Sequence, residues 1–401
     1  MEQRTQVCIA GGGPAGMMLG VLLARAGIRV CVLEKHADFL RDFRGDTIHP
    51  STMQIIHELG WLKEFLELPH QKVRQLSGQF GATRIEIADF SHLPVEAPYI
   101  AMMPQWDFLN FLVGKGRAYA SFDLKMQTEA VDLLHGDGGV TGVVARQGGA
   151  TFEIEADLVV AADGRGSRLR QCAGLVPQAF GAPMDVLWFR LPRLQGDTDE
   201  TQGRFDAGSV FIMLNRGDYW QCAFVIPKGG DAAVRAAGLP AFQASVAKLL
   251  PVDATRVQAI TDWDQVKLLT VMVDRLAEWA MPGLLCIGDA AHAMSPVGGV
   301  GVNLAVQDAV ATANALTKPL LANTLSFDDL KRVQARRDWP TRATQRLQLL
   351  MQNTVISRSL SAKGPLQIPF VLRILLSLPF FSRIPARLIG LGVRREHVRA
   401  A

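Results

Sequence analysis

The first clear rhythm in the chain is an apolar run, Val7–Ala10, that stops at three consecutive glycines. Apolar positions resume with helical spacing in "AGMMLGVLLARAG" and stop again at Gly27, and Arg29–Glu34 is a second apolar run. Short unalternating runs around an amphipathic stretch predict buried strand, helix and buried strand, a β-α-β unit with a right-handed crossover. A helix is predicted from Ser51 behind Pro50 to Gly60, short strands over residues 73–100, and another helix in "PQWDFLNFLVGKG". Alternation with glycine turns from Ala130 onward predicts an antiparallel ribbon that ends in the buried strand Leu158–Ala161. Residues 180–275 read as mainly strand, with one helix around 240–250. "GLLCIGDAAH" returns to the buried-strand pattern, and Val302–Leu316 is helical. The pattern predicts an α/β protein: a Rossmann-type first domain interrupted by a β-rich insertion and then completed, with a C-terminal helical segment.

Composition narrows the class. With 49% hydrophobic and 20% charged residues, a large core is available and disorder is excluded. The net charge of +4 is uneven: residues 361–401 hold seven Lys/Arg against Glu396, a tail of +6, so the remainder carries −2. A basic nucleic-acid surface on the main body is therefore not expected. Five cysteines without CxxC spacing (Cys8, Cys31, Cys172, Cys222, Cys286) read as reduced core thiols of a cytoplasmic protein, and the eight dispersed histidines support no metal site. The opening "MEQRTQ" is not a secretory signal.

Gly11, Gly13 and Gly16 form G-x-G-x-x-G between strand and helix, with Pro14 and Ala15 inside it. In such a loop the first glycine makes the turn and the second admits a pyrophosphate. The third lets helix and strand pack, with the phosphates at the helix N-terminus. Glu34, followed by Lys35, ends the second strand where a carboxylate can accept from a ribose diol. This predicts dinucleotide binding without distinguishing NAD from FAD. Asp163 and Gly164 follow a second buried strand, and Gly288 and Asp289 follow a third. After them Pro296, Gly299 and Gly301 lead into a helix at Val302–Asn303. Backbone N–H groups at such a start favour the negative charge that a reduced flavin carries.

Together these motifs resemble the class A flavoprotein monooxygenases, the family of para-hydroxybenzoate hydroxylase and the ubiquinone-pathway hydroxylases, over about residues 5–345. The resemblance implies non-covalent FAD, with its ADP half on Gly11, Gly13, Gly16 and Glu34, and Arg44 and Gln105 along the cofactor. It places Asp163 and Gly164 in support of FAD and of NAD(P)H use, Asp289 on the ribityl chain, and Pro296 through Asn303 facing the flavin ring. It further implies NADH or NADPH as a transient reductant, O₂ as co-substrate, and hydroxylation of an electron-rich substrate through a flavin hydroperoxide. The FAD-binding domain would comprise residues 1–72, 101–178 and 276–345, the substrate domain 73–100 and 179–275, and the tail 346–401.

The alternatives fit less well. A plain dehydrogenase does not need the Gly288–Asp289 loop, and a disulfide-type reductase needs a cysteine pair. Similar halogenases carry W-x-W-x-I-P, where "CAFVIP" has Cys222 and Phe224. A prenyl-chain reductase or dehydratase on the same scaffold stays open, while the Gly288–Asp289 loop argues against a non-enzymatic carrier of similar fold. Expected pocket walls on the insertion strands are Trp188, Arg190, Met213, Tyr219, Trp220 and Phe224, of which alternation turns about half inward. His49 is a candidate catalytic residue or a cap for the Ser51 helix. The tail, with no apolar stretch near the roughly 20 residues that cross a bilayer, reads either as short helices on the core or as a peripheral membrane contact over 364–399.

Overall fold

The computed structural model describes residues 3–40, 47–362, 364 and 379–399. The chain opens with strand β1 (Gln3–Ala10), helix α1 (Pro14–Arg25) and strand β2 (Val30–Leu33). Helices α2 (Pro50–Glu58) and α3 (Gln105–Gly116) follow, then β3 (Ala150–Ala161). The insertion carries β4 (Met184–Pro192), β5 (Ser209–Asn215), β6 (Tyr219–Pro227) and α4 (Leu239–Ala247). Strand β7 (Leu284–Cys286) returns the chain to the first sheet, before α5 (Gly301–Leu321), α6 (Phe327–Met351) and α7 (Pro379–Gly390).

Two sheets organise the molecule. In the first, the strand order is Ala280–Met281, β7, β3, β1, β2 and Phe122–Lys125, parallel from β7 onward. The apolar runs of β1 and β2 are explained by burial on both faces, with α1 pressed between the sheet and helices α3 and α5. The second sheet runs Lys267–Leu269, β4, β6, β5, Gln202–Asp206, Gln75–Phe80 and Thr83–Asp89. Strands from residues 75–89 thus share a sheet with strands from residues 184–227. The predicted helix from Val302 starts at Gly301 and runs on to Leu321.

The described part of the tail packs against the body. Ala386 and Leu391 are buried with Phe90, Leu93 and Met102, and a Cβ on Gly390 would lie 2.8 Å from Leu93 Cδ1. Beyond α7, Glu58 accepts from the Val398 N–H at 2.8 Å and pairs with His397, while the Asn314 amide donates to the His397 carbonyl at 2.8 Å. Arg373 and the apolar run around it lie outside the described residues. No helix among the described residues is long and apolar enough to cross a membrane.

Candidate active site

Register brings the motifs to one level. Ala10 pairs with Leu33 on one side and Ala161 on the other, and Ala161 pairs with Cys286. The residues that follow, Gly11, Glu34, Ala162–Asp163 and Ile287–Gly288, therefore leave the carboxyl edge of the sheet side by side, where parallel sheets bind ligands. Gly11 has φ +107, and a Cβ there would sit 2.3 Å from the Ala162 carbonyl. A Cβ on Gly16 would meet the Gly11 carbonyl at 2.0 Å, so both positions require glycine. At Gly13, by contrast, no described atom lies within 4 Å of that place, and no side chain caps α1, whose first residues are Pro14 and Ala15. An uncapped helix start behind an empty cradle suits a pyrophosphate. The Glu34 carboxylate is held at the end of β2 by the Gly12 N–H at 3.1 Å and the His36 N–H at 3.0 Å, while Lys35 is exposed.

The second and third loops are tied together. Arg165 donates to Asp289 Oδ2 at 3.0 Å, and both side chains are about a third exposed. Buried Arg170 donates to the carbonyls of Ala290 (3.0 Å) and Arg165 (2.7 Å). Asp163 accepts from the Arg168 N–H at 2.7 Å, which fixes the turn at Gly164. Pro296 is half-buried, Gly299 is pressed on Thr47, and Gly301 and Val302 open α5, which no described side chain caps. Asn303 is saturated: Oδ1 accepts from the His49 N–H (2.9 Å) and Thr52 Oγ1 (2.6 Å), and Nδ2 reaches the Thr47 and Gly299 carbonyls. Its side chain binds loop to α2, leaving only its main chain for a cofactor. Gln105 is the half-buried first residue of α3. Arg44 lies outside the described residues.

His49 occupies the N-cap position of α2, yet its side chain does not cap the helix. The ring is fully buried and its Nδ1–H donates to the Ile389 carbonyl at 2.8 Å, joining α2 to α7. Burial lowers its pKa from 6.5 to about 4, against the opposing effect of that bond, so the imidazole is neutral at pH 7.

Sequence reasoning missed a buried charge network beneath the third loop. Asp308 Oδ2 accepts from the Gly288 N–H (3.1 Å) and from His292 Nε2 (2.6 Å), and Oδ1 accepts from Arg337 Nε (2.8 Å). Arg337 also reaches Glu396 Oε1 at 3.3 Å, where Arg336 donates at 2.7 Å. Burial opposes ionisation of Asp308, but His292 and Arg337 outweigh it and hold its carboxyl below the usual range. The only sequence signal was a charged residue in each of two otherwise buried helix faces.

The second sheet separates the expected pocket walls. Val186, Trp188, Val210, Ile212, Ala223 and Val225 share one face, which packs with Val297 of the third loop and with Ile356. Arg190 is on this side too, its guanidinium 4.8 Å from the Tyr219 ring centre. Met213, Trp220 and Phe224 lie on the opposite face, in the core formed with Phe242 of α4, and Trp220 Nε1 donates to Asp197 at 3.1 Å. Those three are structural residues of the insertion. The β-strand period of two places them there, since they alternate with the inward set.

The site defines an FAD-dependent monooxygenase. A family model described as FAD binding domain matches residues 4–332, and the chain belongs to that family. A 6-methylpretetramide 4-monooxygenase of Streptomyces rimosus is 32% identical over 358 residues, covering 88% of this chain and 85% of that protein. A 12-dehydrotetracycline 5-monooxygenase/anhydrotetracycline 6-monooxygenase of Streptomyces rimosus subsp. rimosus is 29% identical over 325 residues; the match covers 77% of this chain and 61% of that longer protein. The crystal structure of p-nitrophenol 4-monooxygenase PnpA from Pseudomonas putida DLL-E4 shares the fold, with a TM-score of 0.77 at 20% identity over 98% of this chain and 100% of that one.

Proposed function

We propose that this monooxygenase hydroxylates an aromatic or lipophilic small molecule, quinone- or polyketide-like, with NADH or NADPH as a reductant that visits and leaves. The observation that carries the reading is the contact of Val297, in the loop after Pro296, with the apolar inner face of β4–β6. It sets a flavin-facing loop against a surface suited to a flat apolar substrate. The relative that acts on 6-methylpretetramide supports the same substrate class.

In this reading Gly11, Gly13 and Gly16, with Pro14 and Ala15, hold the pyrophosphate at the start of α1, and Glu34 and Lys35 flank the adenosine ribose. Asp289 holds the ribityl chain. Gly299, Gly301, Val302 and Asn303 offer main-chain N–H groups to the flavin edge. Asp163 and Gly164 brace the loops, and Gln105 lies along the cofactor. When bound, FAD supplies electron transfer from NAD(P)H and delivery of one oxygen atom of O₂. The chain's own work is to orient the ring, exclude water and present the substrate against Pro296, Trp188 and Arg190. His49, buried and neutral at pH 7, ties Asn303 to α2 through its main-chain N–H and α7 to α2 through its ring. Five free cysteines, four of them buried, support a cytoplasmic setting, where NAD(P)H is supplied.

The test is turnover under ¹⁸O₂ with a substrate found by screening for stimulated NAD(P)H oxidation. One labelled oxygen atom per product is expected. Label from water alone, or turnover without O₂, overturns the hydroxylase reading.

A further inference from the structure

The C-terminal part of α6 faces the third loop with glutamines where a packing helix ordinarily carries leucines. Gln345, Gln348 and Gln352 follow one another at spacings of three and four, so they share a helix face. They are 1%, 4% and 0% exposed. Gln345 Nε2 donates to the carbonyls of Asp274 (2.7 Å) and Ala293 (3.1 Å). Gln348 Oε1 accepts from the Ser295 N–H at 3.2 Å, while its Nε2 donates to the carbonyls of Ser295 (3.0 Å) and Val297 (2.8 Å). Gln352 Nε2 donates to Ser295 Oγ, which also accepts from the Val297 N–H at 3.2 Å. At this point the helix changes to a π turn, Gln352–Ile356, and Ile356 packs on the inner face of the second sheet.

Burying this helix needed only apolar residues. Instead, Gln345 and Gln348 pair with main-chain groups of Ala293, Ser295 and Val297, and Gln352 holds the Ser295 hydroxyl. The loop gains what its own sequence lacks, since Gly298 (φ +78) and Gly299 (φ +63) leave it little stiffness. We propose that Gln348, seconded by Gln345 and Gln352, is the positioning residue that sets the height of Ser295–Val297 between flavin and substrate face. The proposal rests on the reading that this loop faces the flavin.

Gln348→Leu keeps the volume and removes all three bonds to the loop. Hydrogen exchange followed by mass spectrometry, with and without FAD, is expected to show amides of 293–299 exchanging at least about tenfold faster than in the wild type, since this loop would open locally. The visible band of bound FAD is expected to shift in the same variant. Gln334→Leu is the control: Gln334 makes the same kind of bonds at the other end of α6, to the Ala277 carbonyl (2.7 Å) and the Trp279 N–H (3.0 Å). It is expected to leave loop exchange and the flavin band as in the wild type. Wild-type loop exchange in Gln348→Leu, or equal acceleration in Gln334→Leu, overturns the proposal. Should Gln348→Leu not fold, Gln348→Glu, which keeps the acceptor for Ser295 and loses both donors, decides by the same two readouts. Wild-type protein that binds no FAD defeats the proposed function instead, while the exchange comparison of the FAD-free proteins still stands.

Discussion

The carboxyl edge of the first sheet and the inner face of the second, the proposed cofactor and substrate surfaces, are built on opposite plans. The first offers main chain: Gly11, Gly13, Gly16, Gly288 and the starts of α1 and α5, which no described side chain caps. The second offers side chains from strands whose alternate residues are core. Contact through the backbone restricts which residue can occupy a position. Contact through side chains lets the residue vary with the ligand.

The comparison breaks most visibly if the cofactor edge does not depend on its buried supports. Arg337→Met removes the guanidinium from Asp308 and leaves it, among the described residues, with the Gly288 N–H and His292 Nε2, in a site where Arg337 and Asp308 are 1% and 0% exposed. Removing one member of such a buried pair is expected to cost about 3–5 kcal/mol of folding stability, measured by denaturant unfolding. The faces of the second sheet can be told apart next. Met213→Ala, on the outer core, is expected to lose about 2–5 kcal/mol of stability with little effect on KM. Trp188→Ala, on the inner face, is expected to raise KM by on the order of tenfold.

How much of this was legible follows from the same contrast. The places of Gly11 and Gly16, and of the acids just after β2, β3 and β7, were readable because tight turns and close backbone approach at strand ends are dictated locally. The aromatic residues of the insertion were readable only as a set. Trp220 looked like a pocket wall by type, but register against α4 and Val297 assigns each residue its face, and one strand's sequence does not contain that register. His49, Asp308 and Gln348 were opaque for a different reason. Their partners, Ile389, Arg337 and Ser295, are distant in the chain, and nothing local distinguishes a buried amide clamp from an exposed glutamine.

Two smaller effects sharpen the picture. His49 has its pKa lowered from 6.5 to about 4, so the fold binds fewer protons there than the unfolded chain. Its contribution is complete above pH 6.5 and is lost as pH falls toward 4, reaching about 3 kcal/mol. A His49→Gln variant is expected to lack that part of the pH slope, as read by unfolding curves from pH 4 to 7. Asp289→Ala is expected to weaken FAD binding by about 1–3 kcal/mol, roughly 5–150-fold, in a fluorescence titration.

In the proposed function, the aligned loops after β1, β3 and β7 hold one FAD. The most direct test of this is the flavin content of the purified chain, before and after denaturation, with Asp289→Ala alongside. The expected result is a yellow protein with about one FAD per chain, released intact on unfolding, and a lower occupancy in the variant. A wild-type protein that stays colourless after incubation with excess FAD, or a variant equally saturated and equally tight, would contradict it.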